Sequence, residues 1–219
     1  MKTLDKAGLR RGCEVARTII QGLRSPDILP PLYPALFEAG VVEGSFHSYM
    51  LSALLVLGDQ LGYSAVLDSP VFDRLDNLLL SEGSKRPDST WFERGTETMR
   101  VLIEFERYTA HSLEAKVRNL LLMANACAED VSLLVLMYWT AQVRALAELR
   151  AASELSKKGF RSKGSQFAPG PCPMLFVETI AQWHGERLAI ASFVAKQFVF
   201  GGENKGYIVQ DLNSRSSRG

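Results

Sequence analysis

The segment that most constrains the fold is residues 131–139, which are apolar at every position except Ser132. A strand with one wet face alternates apolar and polar residues, so an unbroken apolar run predicts a strand that is covered on both faces. Such a strand lies inside a sheet that has helices packed on either side. The sequence therefore predicts an α/β fold.

The rest of the chain alternates between helical and strand patterns. Apolar residues recur at helical spacing in residues 1–24, 42–61, 111–124 and 143–155. Strand patterns occupy residues 63–67, 88–93, 99–107, 174–180 and 188–194. A turn at His184-Gly185 separates the last two strands. This order predicts a mixed β-sheet flanked by helices.

A chain of 219 residues is long enough for one domain with a sizeable core. We divide this domain into an N-terminal helix with a proline-rich linker (1–34), a core (41–139) and a C-terminal helix with strands (140–219). Within these parts, residues 71–80 are interpreted as a short helix or an irregular excursion. Residues 157–166 are interpreted as a basic loop.

Charge and cysteine content argue against several classes of function. The 25 Lys and Arg residues balance 24 Asp and Glu residues, so no overall basic surface points to nucleic acid or membranes. Cys13, Cys127 and Cys172 are scattered, which predicts neither a disulfide framework nor a zinc site and suits a reducing cytosol. No apolar run approaches the ~20 residues of a membrane span. We therefore expect a cytoplasmic protein with no membrane partner.

Two glutamates interrupt the second strand of the hairpin formed by the strands at 88–93 and 99–107. If the five residues after Glu93 form the turn, the antiparallel ladder sets Asp88 directly opposite Glu104. Side-chain alternation puts Glu104 and Glu106 on the same face. Three carboxylates in one patch repel one another, so a cation is expected between them. Mg²⁺ suits this patch, because it prefers oxygen ligands from one or two carboxylates, water and phosphate.

The motif resembles that of a known enzyme superfamily. Pro87-Asp88, followed 16 positions after the aspartate by Glu104 within Ile103-Glu104-Phe105-Glu106, resembles the PD-(D/E)xK nucleases. That superfamily has the restriction-endonuclease-like fold, whose core order αβββαβ is similar to the order predicted for residues 41–139. The resemblance implies that Asp88 and Glu104 bind Mg²⁺ or Mn²⁺ and that the chain hydrolyses phosphodiester bonds of DNA. It also allows a homodimer, since nucleases that cut both strands often form one.

Three further residues enter through the resemblance. Family members often add an acid from the first helix, and Glu43 is the candidate metal ligand because a helical wheel places it between Phe46 and Leu54. Glu106 occupies the position where the family usually has a lysine that orients the attacking water. Some members are thought to supply that lysine from the following helix, where Lys116 borders the apolar stripe. The implied catalytic set therefore adds Glu106 and Lys116 to Asp88 and Glu104.

Simpler interpretations of the same residues stay open at this point. Glu104 and Glu106 also suit a solvated sheet face, Glu43 suits a helix N-terminus that favours acidic residues, and Lys116 suits a solvated flank. The alternative function is a catalytically inactive nuclease-like domain that serves as a binding or assembly module. The three histidines show no metal-ligand spacing and are assigned no chemistry.

Overall fold

The computed structural model describes residues 6–27, 32–68, 86–108, 112–126, 131–141, 146–162 and 165–214. The interpretation of residues 71–80 lies outside these ranges, as do His111 and Cys127. Within them, no helix has the length and apolar content needed to cross a membrane.

Helices and strands occur in the order that the sequence patterns predict, with several additions. The described helices are α1 (Lys6–Leu23), a π-helix (Pro34–Ala39), α2 (Glu43–Gln60), α3 (Ser112–Ala126), α4 (Leu146–Lys158) and α5 (Gly206–Asn213). The first five strands are β1 (Val41–Val42), β2 (Tyr63–Leu67), β3 (Ser89–Glu93), β4 (Met99–Arg107) and β5 (Leu133–Thr140). The remaining strands are β6 (Phe160–Ser162), β7 (Ser165–Phe167), β8 (Met174–His184), β9 (Arg187–Phe200) and β10 (Glu203–Asn204).

The main sheet is mixed, as expected. Its strand order is β1-β9-β8-β5-β4-β3-β2, with β10 paired to β9. The pairs β4–β5 and β5–β8 are parallel, whereas the other pairs in the sheet are antiparallel. All eight residues of the central strand β5 are buried, which confirms the prediction from its apolar run. Because β4 and β8 both run parallel to β5, the three strands point in the same direction across the middle of the sheet.

A separate hydrophobic core covers each face of the sheet. On one face, α1, α2 and α5 pack against apolar residues that include Val101, Ile103 and Phe105 of β4. On the other face, α3 and α4 pack against residues that include Leu102 of β4. The alternation predicted for β4 is therefore confirmed, and Glu104 belongs to the face that carries α3.

Two features of the chain differ from the sequence interpretation. The described residues of 157–166 do not form the predicted basic loop, because α4 continues to Lys158 and β6 and β7 then pair as a small antiparallel sheet. The stacked rings of Phe160 and Phe167, 4.9 Å apart, hold this small sheet together. Near the C-terminus, α5 buries Ile208 and Leu212 against the sheet, where the sequence analysis had named no helix.

Candidate active site

The β3–β4 hairpin has the predicted register where it matters for the site. Ser89 pairs with Ile103, so Asp88 is the residue that precedes the strand at the level of Glu104. A bulge between Trp91 and Phe92 shifts the register near the turn, so Met99 pairs with Phe92 and not with Glu93 as predicted. The bulge leaves the Asp88 end of the hairpin in the expected alignment.

Two side chains contact backbone groups of β4 at a position where β3 does not pair with it. The N–H of Phe105 donates to Asp88 Oδ2 at 2.7 Å, and the carbonyl of Phe105 lies 3.1 Å from His47 Nε2. The ring of His47, on α2, also lies 5.6 Å from the ring of Phe105. Because β3 begins at Ser89, these contacts replace strand pairing. They fix Asp88 beside β4 and bring His47 Nε2 to 4.0 Å from Asp88 Oδ2.

Lys116 reaches the carboxylates from the second turn of α3. The buried stripe of this helix includes Leu113, Val117 and Leu120, and Lys116 sits at its border with 21% of its side chain exposed. Its ammonium donates to Glu104 Oε2 at 2.6 Å and to Asp88 Oδ2 at 3.3 Å. The aliphatic stem therefore packs at the edge of the core while the charge enters the site.

The two glutamates of β4 differ in exposure. Glu104 is fully buried, and its Oε1 has no hydrogen-bond partner among the described residues. Glu106 keeps 31% of its side chain exposed, and its Oε2 lies 3.9 Å from Lys116 Nζ. Its other oxygen accepts a hydrogen bond from the N–H of Arg107 at 2.8 Å. Glu104 is thus the buried carboxyl group of the site, and Glu106 is a partly exposed one.

Burial dominates the electrostatics of Glu104. Loss of solvent raises the pKa of this carboxyl to about 8, although the Lys116 ammonium acts in the opposite direction. Burial lowers the pKa of Lys116, but the carboxylates of Glu104 and Asp88 outweigh that effect and hold it above its ordinary value. The site therefore contains a lysine that stays charged and a glutamate that is costly to ionise.

Glu43, the further metal ligand that the resemblance implies, contacts an arginine at the end of β4. It lies in the first turn of α2, where its Oε1 is 2.8 Å from Arg107 Nη1. The Arg107 guanidinium also stands 5.1 Å from the centre of the Trp139 ring. Glu43 is therefore engaged at the end of β4, while the three carboxylates within 4.0 Å of Lys116 Nζ are Asp88, Glu104 and Glu106.

The donor set fits a hard divalent ion that keeps water and phosphate among its ligands. No group of three or more His, Cys, Asp or Glu residues in the described ranges is arranged to hold a metal, so an all-protein cage is not available there. Mg²⁺ needs only one or two carboxylates when phosphate oxygens complete its shell. The unpartnered Oε1 of Glu104 and the carboxylate of Asp88 are oxygen donors of the kind that would suit such an ion.

A second lysine–glutamate pair lies on the same face of the sheet. Glu106 on β4 is in register with Tyr138 on β5, which is in register with Glu178 on β8. Lys196 Nζ lies 2.9 Å from Glu178 Oε2, and the Thr140 hydroxyl donates to Glu178 Oε1 at 3.4 Å. Here one carboxylate meets one ammonium, so this pair lacks the excess of negative charge found around Lys116.

The predicted residues Asp88, Glu104, Glu106 and Lys116 come together, whereas Glu43 pairs with Arg107. His47, to which the sequence analysis assigns no chemistry, lies beside them, 4.0 Å from Asp88 Oδ2. Its spacing of four residues from Glu43 places it one helical turn further along α2, which is the signal that could have drawn attention to it.

Comparisons of this chain with protein families, with curated proteins and with solved structures find no match.

Proposed function

We propose that this protein is a metal-dependent nuclease that hydrolyses phosphodiester bonds, with DNA as its substrate. The observation that carries the proposal is the convergence of Asp88, Glu104 and Glu106 on the Lys116 ammonium at one edge of the sheet. The choice of DNA follows from the resemblance to PD-(D/E)xK nucleases. The order α2, β2, β3, β4, α3, β5 supports a restriction-endonuclease-like fold, since it reproduces the αβββαβ core of that superfamily.

In the proposed reaction, Asp88 and Glu104 hold Mg²⁺ or Mn²⁺, which supplies Lewis-acid polarisation of the phosphate when bound. Lys116 donates hydrogen bonds to a phosphate oxygen and compensates the negative charge that grows there as water attacks. Glu106, which is 31% exposed, orients the attacking water and accepts its proton. The P–O bond to the leaving oxygen breaks as the new P–O bond forms, and solvent protonates the leaving oxygen. The backbone contact between Phe105 and Asp88 keeps the aspartate in place.

A nicking assay tests the proposal. Purified protein is incubated with supercoiled plasmid DNA in Mg²⁺ or Mn²⁺, beside Glu104→Gln and the control Lys196→Met. We expect the wild type and the control to nick the plasmid. Glu104→Gln should be slower by on the order of 100-fold, because one charged ligand of the proposed metal ion is lost. Absence of nicking by the wild type, or equal rates for wild type and Glu104→Gln, would refute the nuclease assignment.

A non-catalytic binding or assembly module is the second candidate. The observation in its favour is that Lys116 already compensates Glu104 and Asp88 within the protein. Such a module requires no divalent ion. It predicts that millimolar Mg²⁺ leaves both the melting temperature and the plasmid unchanged.

A further inference from the structure

The Lys116 ammonium stands at the centre of the carboxylate patch. Its Nζ lies 2.6 Å from Glu104, 3.3 Å from Asp88 and 3.9 Å from Glu106. Carboxylates gathered in a site with little water need a nearby cation, and the buried Glu104 needs one in order to ionise. In the structure, Lys116 supplies that charge and contacts both proposed metal ligands directly.

A divalent ion and this ammonium cannot both occupy the space between Asp88 and Glu104 without strong repulsion, because like charges a few ångströms apart are poorly screened away from water. Of the groups involved, Lys116 is the one that can move. Glu104 is fully buried on a central strand, and Asp88 is tied to the Phe105 N–H. The lysine has a flexible stem, lies at the border of its helix and is 21% exposed.

We infer that Lys116 is a resident cation that competes with the divalent ion for Asp88 and Glu104, and that a phosphodiester of the substrate relieves this competition by binding the ammonium. The inference rests on the proposed function for the identity of the ion and the substrate. Ion and phosphate then bind cooperatively. The ion binds the carboxylates and frees the Lys116 ammonium for the phosphate, and the phosphate binds the ammonium and frees the carboxylates for the ion. The protein alone binds its ion weakly, and the ion becomes firmly bound only when a phosphodiester is present.

Calorimetric titration with Mn²⁺ alone tests the competition. In Lys116→Met the two carboxylates lose their ammonium, so we expect Mn²⁺ to bind about tenfold or more tightly than to the wild type. The matched control is Lys196→Met, which removes an ammonium from the single carboxylate of Glu178 and should leave Mn²⁺ binding unchanged. Equal or weaker binding to Lys116→Met than to the wild type would overturn the inference.

A second measurement needs no variant and covers the case in which Lys116→Met fails to fold. Wild-type protein is titrated with Mn²⁺ in the presence of a short oligonucleotide whose linkages resist hydrolysis, with the binding of Mn²⁺ to the oligonucleotide alone subtracted. We expect an affinity about tenfold or more above that for Mn²⁺ alone. Equal affinities with and without the oligonucleotide would contradict cooperative binding.

The two proposals fail in different ways. If Lys116→Met gains Mn²⁺ affinity but wild-type protein does not nick DNA, the competition stands and the nuclease assignment fails. If the wild type nicks DNA but Lys116→Met shows no gain, the nuclease assignment stands and the competition is refuted.

Discussion

Replacing Glu104 by glutamine should change how the stability of the metal-free protein depends on pH. Glu104 has a buried pKa of about 8 against an ordinary value of 4.5, so the folded protein retains a proton that the unfolded chain has released. Stability is therefore fully present below pH 4.5 and is lost as the pH rises toward 8. This gap corresponds to at most about 5 kcal/mol, because each tenfold change in proton affinity is worth about 1.36 kcal/mol.

The assay is urea unfolding of the wild type and Glu104→Gln at closely spaced pH values across this range. Glutamine has nearly the same shape and cannot ionise, so the difference between the two proteins isolates this one carboxyl. We expect the wild type to lose several kcal/mol relative to the variant as the pH rises. Parallel profiles would refute the reasoning, since they would mean that Lys116 keeps Glu104 ionised throughout and that burial is not the dominant effect.

Three further substitutions test contacts elsewhere in the fold by thermal unfolding. A Cβ at Gly58 would lie 2.7 Å from Ala65 Cβ and 2.8 Å from Trp91 Cε2, so Gly58→Ala should destabilise the protein by about 1–3 kcal/mol despite its better helix propensity. Arg24→Met removes bonds to the carbonyls of Phe193 and Leu212 and should cost at least about 2 kcal/mol. Arg10→Ala breaks an exposed ion pair with Glu14 and should cost less than about 1 kcal/mol. These predictions would be wrong if Gly58→Ala or Arg24→Met unfolded at the temperature of the wild type, or if Arg10→Ala lost several kcal/mol of stability.

The elements that the sequence predicts well are those governed by neighbouring residues. Tyr63–Leu67 and Met99–Arg107 have the predicted bounds, because alternation and turn residues act over a few positions. The apolar stripe of α3 fixes which side of that helix is buried. Lys116 could therefore be placed at the border of the stripe before its partners were known.

Features that depend on contacts between distant segments could not be read in the same way. His47 contacts the Phe105 carbonyl because α2 packs on the face of the sheet that includes Phe105. Neither the helical pattern of α2 nor the strand pattern of β4 indicates this contact. The pairing of Glu43 with Arg107 is likewise set by where α2 begins relative to the end of β4. Stacking of Phe160 on Phe167 stabilises the pairing of β6 with β7. The basic residues of this segment favoured the prediction of a loop.

The proposed function requires that Asp88 and Glu104 hold a divalent ion in the place that the Lys116 ammonium occupies in the structure. The most direct measurement is an anomalous difference map from crystals of the protein grown with Mn²⁺ and a short oligonucleotide. We expect a peak within about 2.5 Å of oxygens from both carboxylates, at the distance of direct coordination, with the Lys116 ammonium displaced toward a phosphate. A map with no peak at these two residues, in a crystal where the oligonucleotide is bound, would contradict it.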